Sequence, residues 1–134
     1  MKSTRDRGKA FYHGLLGAGS HGRVYLALDS KTQQLVAIKV LNGGIWASPE
    51  RYQRFAFEAK ALSSIQHRSI VGLRDCRLEH NPPYLVLNYV VGLPITEYVS
   101  DKNPSLDDRL ALMLLIVDAV AAAHAKDVIH RDLK

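Results

Sequence analysis

Apolar and polar residues along the chain change period several times, and each change marks an element. Tyr12–Leu16 and Val24–Leu28 are short aliphatic and aromatic runs that read as two strands. The glycine-rich connection Gly17-Ala18-Gly19-Ser20-His21-Gly22 joins them as a hairpin. Leu35–Leu41 (LVAIKVL) is the strongest strand pattern, entered through the polar stretch Asp29–Gln34 and broken by Asn42-Gly43-Gly44. Ser48-Pro49-Glu50 opens a helix with a capping hydroxyl, a proline at the first helical position and an acid in the first turn. That helix is predicted to reach about Gln66. Ile70–Leu73 and Arg77–Glu79 are weaker strand candidates, and Asn81-Pro82-Pro83 is a turn.

Tyr84–Val90 is a nearly continuous apolar strand, ended by Gly92 and Pro94, and a short helix is predicted from there to Ser100. Ser105 caps a long helix from Leu106 to about Lys126, with Asp108 placed as the acid of a capping box. The pattern therefore predicts a five-stranded, mostly antiparallel sheet with one helix, followed by a helical segment.

Composition narrows the class. The 134 residues are 47% hydrophobic and 23% charged, which suits one domain, or one domain and part of another, and excludes a disordered or collagen-like chain. The single cysteine, Cys76, cannot form an internal disulfide, and no Cys/His pair has zinc-finger spacing, so a cytoplasmic location is expected. Met1–Ala10 is polar and followed by no apolar run, unlike a secretory leader. The apolar stretch Leu110–Ala123 contains Asp118 and falls short of the ~20 residues of a membrane span, so no membrane segment is expected in this chain. The net charge of +5 favours anionic partners. The one basic cluster (Lys2, Arg5, Arg7, Lys9) has too few aromatics beside it to stack bases, and nucleic acid is not an expected partner.

Three features carry chemistry. Gly17-x-Gly19-x-x-Gly22 is used by two unrelated nucleotide-binding architectures, and the glycine spacing equally suits a flexible hairpin with no ligand. Here Gly22 leads into Arg23-Val24-Tyr25-Leu26-Ala27, which is strand and not helix, so the loop is a flap whose backbone N–H groups can approach phosphates. Lys39 is the second feature. Alternation puts Ala37 and Lys39 on one face of their strand and Val36, Ile38 and Val40 on the other. A lysine so placed either reaches solvent or meets a fixed anion. Glu58 is the candidate anion, because it lies inside the apolar helical stripe Phe55, Leu62, Ile65. Its partner is either Arg54, one turn away, or Lys39 on the sheet against which the helix packs. The third feature is the dense polar run His130-Arg131-Asp132-Leu133-Lys134 after the long helix.

These features stand in the order and with the gaps of the eukaryotic-like (Hanks-type) serine/threonine protein kinases, which the chain resembles from about Phe11 to Lys134. GAGSHGRV (Gly17–Val24) looks like the glycine-rich loop, VAIK (Val36–Lys39) like the third-strand lysine motif and HRDLK (His130–Lys134) like the start of the catalytic loop. Phe57–Leu73 is similar to the family's helix-C glutamate segment and the strand after it, and Tyr84–Ile95 to its fifth strand and hinge. The GLPITEYV segment and the helix ending AAAHAKDVIHRDLK look most like bacterial members.

The resemblance implies an α+β fold: a kinase N-lobe with a five-stranded antiparallel sheet and helix C, then the first helices of a truncated C-lobe. It divides the chain into a polar tail (1–10), an N-lobe with ATP-binding loop and hinge (11–91), and the start of the helical lobe (92–134). It implies that Gly17, Ala18, Gly19, Ser20, His21 and Gly22 cover the phosphates of ATP. Leu16, Val24 and Ala37 would line the adenine pocket, with Leu87 as gatekeeper and the backbones of Asn88 and Val90 reading the adenine edge. Lys39 would contact the α- and β-phosphates and pair with Glu58. Asp132 would orient the proton of a protein Ser/Thr hydroxyl, Lys134 would neutralise the transferring phosphoryl group, and Arg131 would pair with an activation-loop phosphate.

Two substitutions depart mildly from the family pattern: Asn88 for an acid at the hinge, and His21 for an aromatic at the loop tip. The larger departure is that these residues include neither the metal-binding Asn nor the Asp-Phe-Gly segment, so Mg2+ ligands are expected only in sequence beyond Lys134. The 134-residue chain is therefore expected to be inactive as it stands. A non-catalytic, pseudokinase-like module that binds nucleotide or a partner is the alternative. The resemblance also implies that the long helix is buried inside the helical lobe. Leaving Leu110, Leu112, Met113, Leu114, Leu115, Ile116, Val117 and Val120 half covered would forfeit ~1 kcal/mol each, from about 1.5–3 for full burial.

Overall fold

The computed structural model describes residues 10–19 and 22–130. Its elements run β1 (Ala10–Gly19), β2 (Gly22–Asp29), β3 (Leu35–Leu41), α1 (Pro49–Ser64), β4 (Leu73–Arg77), β5 (Tyr84–Asn88), α2 (Ile95–Lys102) and α3 (Leu106–His124). The five strands form one sheet in the order β1-β2-β3-β5-β4, and every pair is antiparallel.

Alternation in β3 builds the two sides of this sheet. Ala37 and Leu41 join Leu85 and Leu87 of β5 and Phe55 and Ala59 of α1 in one buried cluster. Val36 and Ile38 face the other way and pack with Ala27. Leu85 and Val36 are the largest side chains sealed completely from solvent. The α1 stripe expected from Phe55, Leu62 and Ile65 thus meets the sheet, with Ala59 as a further member.

Local chemistry sets the element ends. The Ser48 side chain accepts the backbone N–H of Arg51 and Pro49 sits at the start of α1, as the capping pattern predicts. The Ser48 hydroxyl, with the backbone N–H of Glu50 itself, holds the Glu50 carboxyl below its usual range. Ser105 accepts from the N–H of Asp108 and donates to the Asp108 carboxylate, closing the expected box at α3. The β2–β3 turn is organised by Asp29, which accepts from the Lys31 N–H and the Thr32 hydroxyl. Those two donors keep its carboxyl below the ordinary value.

Several boundaries differ from the sequence pattern. β1 runs through Gly19 and β2 starts at Gly22, so most of the supposed glycine connection is paired strand, with Gly19 opposite Gly22. β4 occupies Leu73–Arg77, the interval between the two weak candidates at Ile70–Leu73 and Arg77–Glu79. It is an edge strand carrying Arg74, Asp75 and Arg77, charges that suit an unpaired edge but erase the apolar alternation. β5 stops at Asn88, two residues short of Val90, α2 continues to Lys102, and α1 and α3 each end two residues early.

α3 is the helix that the resemblance implies is buried inside a helical lobe. None of its residues is buried, and Leu106, Leu110, Met113, Leu114 and Val117 are all more than half exposed. Spaced at i, i+4, i+7, i+8 and i+11, they form one continuous apolar face. Replacing Leu114 and Val117 together by Gln is expected to reduce self-association of the 134-residue chain, read by light scattering, with no loss of helix signal in circular dichroism.

Candidate functional site

The register of the sheet assembles the site. Val24 on β2 stands opposite Lys39 on β3, and Ala37 stands opposite Leu87 on β5. Val24, Ala37 and Leu87 meet in the α1-side core cluster. Lys39 emerges from the same face and reaches α1, where its Nζ donates to both carboxylate oxygens of Glu58 at 2.7 Å. Of the two partners open to Glu58 from sequence, the structure selects Lys39. The side chains keep 21% and 36% of their exposure, so the pair is shielded on one side and open on the other. An ammonium held in this way has a fixed position and a hydrated flank from which a second anion can approach.

Behind the pair lies a cleft of about 830 Å³ between α1 and α3, lined among others by Lys39, Glu58, Leu87, Leu115, Ile116 and His130. Of the expected site residues, this cleft gathers only Lys39, Glu58 and Leu87. Leu16, Gly17, Ala18, Gly19, Gly22, Val24, Ala37, Asn88 and Val90 lie outside it. Leu16 on β1 is half exposed, and Val90, just past β5, is 67% exposed. Ser20, His21, Arg131, Asp132 and Lys134 fall outside the described residues, whereas His130 immediately before them borders the cleft.

The hairpin is shaped by one close approach. A Cβ added at Gly22 would stand 2.5 Å from the Val40 carbonyl oxygen, so β2 can begin there only with glycine. Gly17, Ala18 and Gly19 pair with Val24, Arg23 and Gly22, and the flap is a continuation of the sheet.

Three polar links were not legible in the sequence. The Asn88 side chain accepts from Nε of Arg74 at 2.6 Å, and Arg74 also donates to Oε1 of Gln34 at 2.6 Å. A residue at the end of β5 is thereby tied to β4 and to the β2–β3 turn. Asn42 donates to the Gly19 carbonyl. His67, in the turn after α1, lies 3.1 Å from Asp118 of α3. Because Nδ1 of His67 accepts the Ser69 N–H, Nε2 carries the proton and donates to the carboxylate. Asp118, visible in the sequence only as a polar break in an apolar run, thus joins the sheet-bearing part to the helical segment. Asp118→Ala is expected to lower stability by about 0.2–1 kcal/mol, since the carboxylate is largely exposed, and a urea melt measures it.

Among the described residues no cluster of three His, Cys, Asp or Glu side chains is placed to hold a metal ion. The described donor set therefore does not fit Mg2+, and no step is routed through it. No helix among the described residues is long and apolar enough to cross a membrane.

A five-stranded antiparallel sheet that packs one helix, hooks it by a Lys–Glu pair and carries a glycine hairpin at its edge is the small lobe of a protein kinase. The model of the protein kinase domain matches residues 12–134, and the chain belongs to that family, in its bacterial Hanks-type serine/threonine branch. It is 36% identical over 121 residues to the serine/threonine-protein kinase PrkC of Bacillus subtilis, an alignment covering 90% of this chain and 19% of that protein. It is 35% identical over 119 residues to Pkn1 of Myxococcus xanthus (89% and 17%), and 33% identical over 127 residues to PknB of Mycobacterium tuberculosis (90% and 20%). The chain thus spans about a fifth of the length of these relatives. The crystal structure of the Mycobacterium tuberculosis PknI kinase domain superposes on the whole chain with a TM-score of 0.76 at 23% identity, and 55% of that chain is covered. The fold is accordingly that of the kinase N-lobe and the start of the C-lobe.

Proposed function

We propose that this chain binds ATP on the sheet face beneath the glycine hairpin, as the nucleotide-binding part of a kinase that moves the γ-phosphate to a protein Ser/Thr hydroxyl. The observation that carries this reading is the Lys39–Glu58 pair, 2.7 Å at both oxygens and open on one flank. Glu58 holds the ammonium in place, and Lys39 offers it to the α- and β-phosphates. Val24, Ala37 and Leu87 supply an apolar floor for adenine, Leu16 supplies a wall, and the backbones of Asn88 and Val90 read the base edge. Asp132 orients the acceptor hydroxyl, Lys134 neutralises the phosphoryl group in transfer, and Arg131 meets a regulatory phosphate. In this family Mg2+ supplies charge neutralisation on the phosphates. The residues described here supply no ligands for it, and no Asp-Phe-Gly occurs in the 134 residues.

The 134-residue chain accordingly binds ATP without transferring its phosphate. Incubation with γ-labelled ATP and a Ser/Thr-containing protein is expected to leave the protein unlabelled, while calorimetry registers saturable ATP binding that adenosine competes away. Genuine turnover would overturn the inactivity, and absence of binding would overturn the nucleotide reading. The uncovered face of α3 favours a second reading, a partner-binding module without catalysis. A soluble, stoichiometric complex of the purified chain with a partner supports that alternative, and aggregation of the chain alone opposes it.

A further inference from the structure

The cleft between α1 and α3 has a shape and a charge that the nucleotide reading does not use. Its α1 wall is Arg54, Phe57, Glu58, Ala61, Leu62 and Ile65. Residues spaced this way form one helical stripe. The stripe is apolar except at Glu58, which Lys39 holds, and at Arg54, which stands at its N-terminal end. The opposite wall runs along α3 from Leu112 through Ile116 and Ala119 to Ala123. Each wall is about 16 Å long at ~1.5 Å per helical residue. The space is therefore elongated, and both of its sides are apolar.

The volume of about 830 Å³ lies within the roughly 300–1,000 Å³ of small-molecule sites. Phe57 and Leu115 on its walls remain exposed, so the chain alone leaves this apolar surface in water. Burying that surface favours any apolar occupant of matching length. An extended chain advances roughly 3.3–3.6 Å per three bonds, so a tail of about fourteen bonds matches the walls.

Charge selects the head group. Among the described residues that line the cleft, Glu58 is the one carboxylate, and its two oxygens are taken by Lys39 at 2.7 Å. That pair enters the balance as neutral. Arg54 remains, and its fork of donors suits a carboxylate. Glu50, one turn earlier on α1, is not on the cleft wall, and its carboxyl takes the Ser48 hydroxyl. The cleft thus offers two long apolar walls and one cation at the end of a stripe.

We propose that the α1–α3 cleft binds a long-chain fatty acid, its tail laid between the two helix faces and its carboxylate paired with Arg54. This site meets the ATP site only at Lys39, Glu58 and Leu87, and it does not depend on nucleotide binding.

The test titrates palmitate, octanoate and hexadecyltrimethylammonium, each below its micelle concentration, into the 134-residue chain by calorimetry. Palmitate is expected to saturate at one molecule per chain. Octanoate, eight methylenes shorter, should bind about a hundredfold or more less tightly. The cationic amphiphile, with the same length of tail, should bind about tenfold less tightly. Arg54→Glu should weaken palmitate about three- to tenfold and leave the cationic amphiphile unweakened. Ala119→Phe, which puts a ring into the cleft, should weaken palmitate about tenfold or more. Leu114→Gln, on the outer face of α3, should leave it within about twofold of wild type.

Equal losses in Leu114→Gln and Ala119→Phe would overturn the proposal, because they mark adsorption to the outer apolar face. So would equal affinity for palmitate and the cationic amphiphile, saturation at several molecules per chain, or no binding at all. Palmitate affinity that falls as protein concentration rises would show a second copy covering the cleft, and would overturn it too. If Ala119→Phe lost the helix signal in circular dichroism, the chain-length and charge comparisons on the wild-type chain would decide.

Discussion

Lys39→Met is expected to weaken ATP binding by the 134-residue chain about ten- to a hundredfold while leaving the chain folded. Charge-assisted hydrogen bonds contribute about 1.5–3 kcal/mol each, and the substitution removes the ammonium that Glu58 fixes at the sheet face. Methionine keeps the length of the stem and its packing between β2 and β5. Glu58 loses its partner, but its side chain retains 36% exposure and can be hydrated, so the stability cost is about 1 kcal/mol or less. In a longer chain that joins this segment to a metal-binding helical half, the same change is expected to abolish phosphoryl transfer. Lys39→Arg should not restore it, because a planar fork does not replace a point charge at this position. Calorimetric titration with ATP beside a thermal melt separates the two effects. Undiminished ATP affinity would refute the role of Lys39.

Leu85→Ala is expected to take away much of the chain's stability. Leu85 is fully sealed, lies opposite both Lys39 and Cys76 across the sheet, and packs in the cluster that receives Phe55 and Ala59 of α1. Truncating a leucine in such a place costs about 2–5 kcal/mol. Whole domains are stable by only ~5–15 kcal/mol, and this one keeps the apolar face of α3 in water, which places it toward the low end of that range. The prediction is a melting midpoint lowered by ten degrees or more, on the order of what about 2–5 kcal/mol gives for a domain of this size, with the ATP response lost at the lower temperature, since the sheet carries the site. Asp75→Ala on the exposed edge strand serves as the control and should shift the midpoint by no more than about 0.5 kcal/mol. A cooperative melt near the wild-type temperature in Leu85→Ala would show that the core lies elsewhere.

Those two residues also show what could be read from the sequence. β3 was legible to the residue because its neighbours on both sides and both faces select β-branched and aliphatic side chains. The starts of α1 and α3 were legible because Ser48-Pro49 and Ser105-x-x-Asp108 encode local hydrogen bonds that need no tertiary context. β4 was not, because an edge strand is selected for charge and its pairing with β5 is a long-range fact. The extent of the glycine hairpin was hidden for a related reason: glycine carries no side chain, so Gly17–Gly19 show no alternation although they are paired. The solvent-facing side of α3 also escaped the pattern, because hydrophobicity reports what a helix would bury and not whether a neighbour is present.

The site divides along the same line. Lys39 and Glu58 were predictable as a pair because each is a charge on an apolar face, an arrangement with few solutions. Gly22 and Ala37 stand in the motifs, and the sheet register sets Ala37 opposite Leu87. Asn42, Arg74, Asn88 and Asp118 act through one or two hydrogen bonds between distant segments, and a polar residue at a strand end or helix face carries no sign of which partner it will find. Asn42-Gly43-Gly44 read only as a strand breaker, yet its first residue reaches the flap.

The measurement that bears most directly on the ATP site is an amide-resolved NMR titration of the 134-residue chain with ATP. Saturable shifts are expected at Gly17, Gly19, Gly22, Lys39, Asn88 and Val90, with adenosine reproducing those at Asn88 and Val90 alone and with Leu110, Leu114 and Val117 on α3 unmoved. A spectrum unchanged by ATP, or shifts centred on the basic N-terminal cluster while the hairpin and β3 stay still, would contradict it.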